Sequence, residues 1–240
     1  MLTNIRIVLI GTKHPGNIGA AARAMKTMGL RQFYLVNPAE FPSPKAVAMA
    51  SNADDLLAEA IVVDNLEQAL AGCGLVIGTS ARQRKLPWPL LMPRECAELM
   101  TQHSTTQTVA LVFGREDTGL LNEELDRCHY HVTIPANPEY SSLNLAAAVQ
   151  VLSYELRVAS LKEPLNSEPL DDEFALASAE YIEQFYQHLD KVLHKIRFLD
   201  SQNAERIMRR LRRLFGRTML ERKELNILRG ILVAITKQLD

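Results

Sequence analysis

Three short segments gather the residue types that can hold or act on a polar ligand. The first is His14-Pro15-Gly16-Asn17-Ile18-Gly19-Ala20-Ala21-Ala22-Arg23. Asn17 suits a helix N-cap, and Gly29 suits the residue that ends that helix. Gly19 stands one turn before Arg23, and its missing side chain is expected to leave room for a ligand at the guanidinium. A guanidinium stays protonated, so Arg23 can orient or polarise an oxygen or a phosphate but is a poor general base. The second segment is Leu111-Val112-Phe113-Gly114-Arg115-Glu116-Asp117-Thr118-Gly119-Leu120. There Gly114 can let backbone approach a ligand, with Arg115 and Glu116 where binding residues collect. The third runs from Ile134 to Val149 and contains Pro135, Pro138, Ser141, Ser142, Leu143 and Asn144. Its prolines keep the backbone irregular. Ser141 or Ser142 is expected to cap a helix starting near Leu143, whose unpaired N–H groups suit a carboxylate or phosphate. Taken singly, each segment also reads as ordinary structure: a tight turn with a surface arginine, a charged turn, a helix cap.

Segments so far apart in sequence can act together only on a scaffold that converges them. Short β-branched runs alternate with helical patterns to about residue 160. The expected strands are Arg6–Ile10, Gln32–Val36, Ala60–Val63, Leu75–Thr79, Val109–Phe113 and Tyr130–Ile134. The expected helices are Asn17–Met28, Lys45–Ser51, Leu66–Ala71, Pro93–His103, Asn122–Cys128 and Asn144–Ala159. Such alternation argues for an α/β fold, a mostly parallel sheet with helices on both faces. Ligands then bind beyond the carboxyl ends of the strands. Gly78-Thr79-Ser80, the Phe113-Gly114-Arg115-Glu116 turn and the Ile134 segment stand at three of those ends. Neither GxGxxG nor GxxxxGK[ST] occurs, so no motif supports a dinucleotide or ATP site.

Asn-x-Gly-x-x-x-Arg after the first strand, a later Phe-Gly-Arg-Glu-x-x-Gly-Leu and a final Ile-Pro-x-x-x-x-x-x-Ser-Leu-Asn-x-Ala resemble the three motifs of the SpoU/TrmH branch of the SPOUT RNA methyltransferases. The likeness spans about residues 3 to 160. The order, the spacing and an appended basic helical segment are similar to the members that 2′-O-methylate a cytidine or uridine of the tRNA anticodon loop, at position 32. The resemblance implies a sheet whose C-terminal part is threaded into a trefoil knot, an exception to the rule against knots. It implies S-adenosylmethionine as methyl donor, bound by Thr79, Ser80, Ala81, Gly114, Ile134, Ser141, Ser142 and Leu143. It implies a homodimer in which Arg23 of one subunit reaches the donor held by the other, with Asn17, Glu116, Ser142 and Asn144 also at positions associated with activity. No metal is implied. The substrate stays open between tRNA, ribosomal RNA and another tRNA site, as does a non-catalytic RNA-binding protein on the same fold.

A chain of 240 residues with 47% hydrophobic content can fill one large core, or a larger and a smaller one. Residues 1–162 read as the methyltransferase-like domain and 163–173, acidic with two prolines, as a linker. Residues 174–240 read as a small all-α domain with helices Phe174–Arg197, Asn203–Phe215 and Arg222–Leu239. Net charge is −1, yet Lys191 to Lys237 carries thirteen Lys/Arg against four acids. In the second of those helices Ile207, Leu211 and Leu214 form the expected apolar stripe, and Arg206, Arg209, Arg210, Arg212, Arg213 and Arg217 cover the rest. With Glu205 the only nearby acid, this exceeds what solubility requires and points to a polyanion surface, a solvated face of a packing helix being the alternative. The RNA-contacting candidates are Arg82, Arg84, Lys85, Arg115, Arg209, Arg210 and Arg213, with Trp88 free to stack on a base or else plugged into the core. Cys73, Cys96 and Cys128 form no CxxC pair, and His129 and His131 have no clustered partners, so no metal site is expected. With no signal segment and no apolar run of membrane-spanning length, the expected location is cytoplasmic.

Overall fold

The computed structural model describes residues 2–80, 88–162, 175–200 and 202–239. Its strands are β1 (Ile5–Ile10), β2 (Gln32–Val36), β3 (Ile61–Val63), β4 (Cys73–Thr79), β5 (Leu90–Leu91), β6 (Thr108–Phe113) and β7 (Tyr130–Val132). Every pairing among them is parallel, in the order β3-β2-β1-β6-β4-β7-β5. All six residues of β1 are buried, as expected of a central strand covered on both faces. Alternate side chains feed two separate cores. Ile5, Ile7, Leu9, Val109, Leu111 and Phe113 belong to one; Val8, Ile10, Ala110 and Val112 belong to the other.

The helices are α1 (Pro15–Met28), α2 (Pro44–Ala50), α3 (Asp54–Ala58), α4 (Leu66–Leu70), α5 (Pro93–His103), α6 (Asn122–Leu125), α7 (Leu145–Ser160), α8 (Ala179–Lys195), α9 (Ala204–Gly216) and α10 (Arg222–Leu239). Helices α1, α2, α5 and α7 pack on the first core, α4 and α6 on the second. The expected alternation of strands and helices is present; α3 and β5 are additional, too short to leave a periodic signal.

Two expected caps fall elsewhere. Helix α1 starts at Pro15 with His14 at its N-cap, so Asn17 lies inside the first turn instead of preceding it. Helix α7 starts at Leu145, and its cap is Asn144, whose Oδ1 accepts from the Ala146 and Ala147 N–H groups; Ser141 and Ser142 do not cap it. Gly19 also differs from expectation. It is buried against α2, where a side chain would meet the Ala46 carbonyl oxygen at 1.9 Å. It therefore makes room for a neighbouring helix, not for a ligand beside Arg23.

Helices α8, α9 and α10 enclose a third core around Phe185, Tyr186, Leu189, Val192, Leu225 and Leu232. The face α9 turns to it is Met208, Leu211 and Phe215; Leu214, expected in that stripe, is 42% exposed. The acidic stretch 163–173 lies outside the described residues.

Candidate active site

Beyond the carboxyl ends of the adjacent strands β6, β4 and β7 lies an open cleft of about 220 Å³. Thr79 and Ser80 line it from the end of β4, and Gly114 from the loop after β6. Ile134, Ser141, Ser142 and Leu143 line it from the segment between β7 and α7. Seven of the eight residues expected to hold a donor thus face one cavity; the eighth, Ala81, lies outside the described residues. The position is the one open parallel sheets use for ligands.

The loop from Phe113 to Leu120 contributes every one of its residues to the lining. It is closed on itself: Arg115 N–H donates to the Gly119 carbonyl at 3.2 Å and Gly119 N–H returns a bond to the Arg115 carbonyl at 2.9 Å. Gly119 takes φ +67°, a conformation natural to glycine. A side chain on Gly114 would meet the Gly119 carbonyl carbon at 2.1 Å, so Gly114 admits its own chain. Asp117, Thr118, Gly119, Val132, Leu145 and Ala148 line the cleft although sequence reasoning did not single them out. For the first three, the whole loop from Phe113 to Leu120, and not only its charged start, was the available signal.

Glu116, Asn17 and Asn144 lie beside this cleft in one hydrogen-bonded chain. Glu116 Oε1 accepts from the Asn17 amide at 2.9 Å and from the His14 N–H at 3.1 Å, while Oε2 accepts from the Lys13 N–H at 3.0 Å. Asn17 Oδ1 in turn accepts from the Asn144 amide at 3.0 Å. A carboxylate from the β6 loop thereby satisfies the N–H groups of Lys13 and His14, the two residues that lead into α1, where the helix dipole also favours it. Partial burial would raise the Glu116 pKa, but the Lys13 N–H and the Asn17 amide outweigh it and hold the carboxyl below the usual carboxylate range. All three sequence segments meet here.

Arg23 is exposed on α1 and does not line the cleft of its own chain. Ser142 is exposed at the cleft rim.

Of the residues expected to meet RNA, Arg82, Arg84 and Lys85 lie outside the described residues. Arg115 is held by Glu124, its Nη1 donating to both carboxylate oxygens at 3.0 and 3.1 Å. Arg209 forks onto Asp126 at 2.7 and 3.1 Å. Arg210 is exposed, and Arg213 is half-buried. Trp88 is a correction: it is 9% exposed, stacks on His131 at 5.4 Å and donates its indole N–H to the Cys128 carbonyl. The indole found a buried acceptor and an aromatic partner together, which no base could improve on. Among the described residues no group of His, Cys, Asp and Glu could hold a metal ion, and no helix is long and apolar enough to cross a membrane.

A second cavity, about 230 Å³, lies between α8 and the α4 and α6 side of the sheet. The two are alike in size, so chemistry separates them: this one is walled by side chains already paired, among them Arg127, Glu183 and Arg212.

Residues 4–154 match the SpoU rRNA Methylase family, and residues 180–240 match the C-terminal domain of the tRNA methyltransferase TrmJ. The chain is 53% identical over 240 residues to the tRNA (cytidine/uridine-2′-O-)-methyltransferase TrmJ of Pectobacterium atrosepticum, covering 100% of both. Among solved structures it is similar to TrmJ from Z. mobilis ZM4, with 32% identity, 96% of this chain and 98% of that one covered, and a TM-score of 0.83. It is also similar to a probable methylase family protein from Haemophilus influenzae Rd KW20, with 46% identity, 100% and 99% coverage, and a TM-score of 0.65.

Proposed function

This chain belongs to the SpoU methylase family, and we propose that it transfers a methyl group from S-adenosylmethionine to the ribose 2′-oxygen of a cytidine or uridine in the tRNA anticodon loop, at position 32. The observation that carries this reading is the cleft over β6, β4 and β7, where the three motif segments converge. Its lining suits the donor. Phe113, Leu120, Val132, Ile134 and Leu145 offer an apolar bed for a purine, while Thr79, Ser80, Ser141 and Ser142 offer hydroxyls for ribose and amino-acid groups. The full-length likeness to a tRNA (cytidine/uridine-2′-O-)-methyltransferase supports tRNA as substrate.

The donor supplies an electrophilic methyl carbon on a sulfonium, a leaving group that is already activated. The chain's task is then to align two reactants and raise the nucleophilicity of a hydroxyl. The Glu116–Asn17–Asn144 chain fixes the starts of α1 and α7 against the cleft loop, so it positions both walls. Arg23 orients and polarises the 2′-oxygen or its neighbouring phosphate, and the hydroxyl proton leaves to an acceptor other than Arg23. Because Arg23 stands outside its own chain's cleft, this role calls for a homodimer in which each subunit's Arg23 serves the other's donor site. In this reading residues 1–162, knotted as in the family, carry the chemistry, and 174–240 grip the RNA.

Calorimetry with S-adenosylmethionine, then methyl transfer to tRNA, tests the reading; mapping of 2′-O-methyl groups in RNA from a deletion strain identifies the nucleotide. Arg23→Lys should lower turnover at saturating tRNA by roughly 100-fold, because the planar fork and its reach are lost. Near-normal turnover would remove Arg23 from the role.

A further inference from the structure

Helix α6 is a single turn, yet its neighbours reach in two directions. Toward the cleft, Glu124 accepts both bonds from Arg115, a lining residue, and also takes the Leu121 N–H at 2.7 Å. Toward the helical segment, Asp126, the C-cap of α6, takes the two-pronged bond from Arg209 of α9. Arg127, the next residue, pairs with Glu67 of α4 and with Glu183 of α8, which itself holds Arg212 of α9 at 2.7 and 2.9 Å. The pairs that tie α6 to the cleft loop and to α9 are sheltered: Asp126 and Glu124 are only 10% and 13% exposed. Charged forks in such sites fix geometry more firmly than surface pairs.

Packing gives α6 the same leverage. A side chain on Gly78 would meet Cys128 Sγ at 2.7 Å, Leu120 Cδ1 at 3.0 Å and Leu125 Cδ2 at 3.4 Å. The turn of α6 therefore rests directly on the strand end that delivers Thr79 and Ser80 to the cleft. The loop Phe113–Leu120 leads straight into it.

We infer that the Asp126–Arg209 fork is a positioning contact by which the helical segment sets the shape of the donor cleft, through α6, the Arg115–Glu124 pair and the loop before it. Arg209 then acts on methyl-donor binding and not as a phosphate ligand. The inference rests on the reading that S-adenosylmethionine occupies the cleft over β6, β4 and β7. It also implies linkage: whatever loads α9 from its outer face biases donor affinity, and the donor biases that load equally.

The test uses the full chain, with donor titrations run without RNA and tRNA binding measured separately. S-adenosylmethionine and S-adenosylhomocysteine are titrated by calorimetry into wild type, Asp126→Asn and Arg209→Lys, with circular dichroism confirming that each is folded. The expected result is donor affinity weakened roughly 5- to 20-fold in both variants, because Asn keeps the shape and Lys keeps the charge while each loses the fork. Arg209→Lys isolates that loss if Asp126→Asn does not fold. Folded variants with a lowered melting temperature but unchanged donor affinity would overturn the inference and leave the fork as a stabilising contact only. Variants that lose tRNA affinity while donor affinity holds would overturn it in favour of a phosphate contact. Failure of wild type to bind the donor would sink the underlying reading instead, so the two failures are distinguishable.

Discussion

At the scale of single residues, two titratable side chains are held by backbone N–H groups, and both make acid unfavourable. Glu116 has a folded pKa below its ordinary value, so its contribution is present above that value and disappears as pH falls through the lowered one. His129 is buried, and burial lowers its pKa from 6.5 to about 4. Its Nδ1 accepts the Val76 N–H at 3.1 Å, using the lone pair a proton would need. The unfolded chain takes up that proton near pH 6.5 while the folded one resists to about 4, so stability is full above 6.5 and falls between the two. The full loss is roughly 3 kcal/mol. His129→Asn, whose amide oxygen can replace Nδ1, should flatten that part of the curve; urea midpoints from pH 7 to pH 4 would show it, and an unchanged slope in the variant would refute the assignment. The sequence displayed the pair His129 and His131 but held no sign of this, because the donor, the Val76 N–H, lies on β4, fifty-three residues away. Trp88 was opaque for a similar reason: an aromatic between two prolines has no periodicity to report whether it is buried.

At the scale of elements, what could be read was what local sequence controls. Strands β1, β2, β4 and β6 and helices α1, α5 and α7 stand within a residue or two of expectation, since runs of buried β-branched residues and apolar stripes are local signals. The caps were not local. Asn17 looks like the cap of α1, but the acceptor comes from Glu116, ninety-nine residues on, and that long-range bond releases Asn17 to meet Asn144. Nor could a sequence say which helix would press on Gly19. The structure answers with the backbone of α2, and a sharp consequence follows. Gly19→Ala must push α1 and α2 apart, because the obstacle is a carbonyl oxygen and not a flexible side chain. The expected cost is about 3 kcal/mol, the upper end for overpacking. Gly230, inside α10, has nothing within 4 Å of a new side chain, so Gly230→Ala should instead stabilise by up to about 1 kcal/mol. Chemical denaturation of the two variants checks both signs, and equal effects would contradict this account of the α1–α2 contact.

At the scale of the molecule, the arginines of α9 divide by direction, and that division decides how the chain would meet RNA. Composition announced a basic helix, yet assigning its residues needed the positions of Asp126 and Glu183, which lie on other elements. Arg209 and Arg212 turn inward and are consumed by those carboxylates; Arg212 also lies over the Tyr186 ring at 4.4 Å. Met208, Leu211 and Phe215 fill the third core. What remains outward is Arg206, Arg210 and Arg217, all exposed and spaced four and then seven residues apart, which keeps them on one side of the helix. A phosphate track needs cations free to displace counterions, and an arginine locked to a carboxylate has little charge left to offer. Replacing Arg206, Arg210 and Arg217 by Ala should therefore weaken tRNA binding and reduce the slope of log affinity against log salt by about 2, at some 0.7 to 0.9 per lost phosphate contact. Replacing Arg212 alone should instead show first as lost stability, since it removes the close fork on the sheltered Glu183 carboxylate and leaves Arg127 at 3.7 Å. Filter binding across a salt series, paired with thermal melts, separates the two sets; a triple variant whose salt slope matched wild type would mean that the polyanion is gripped elsewhere and that this face of α9 serves solvent.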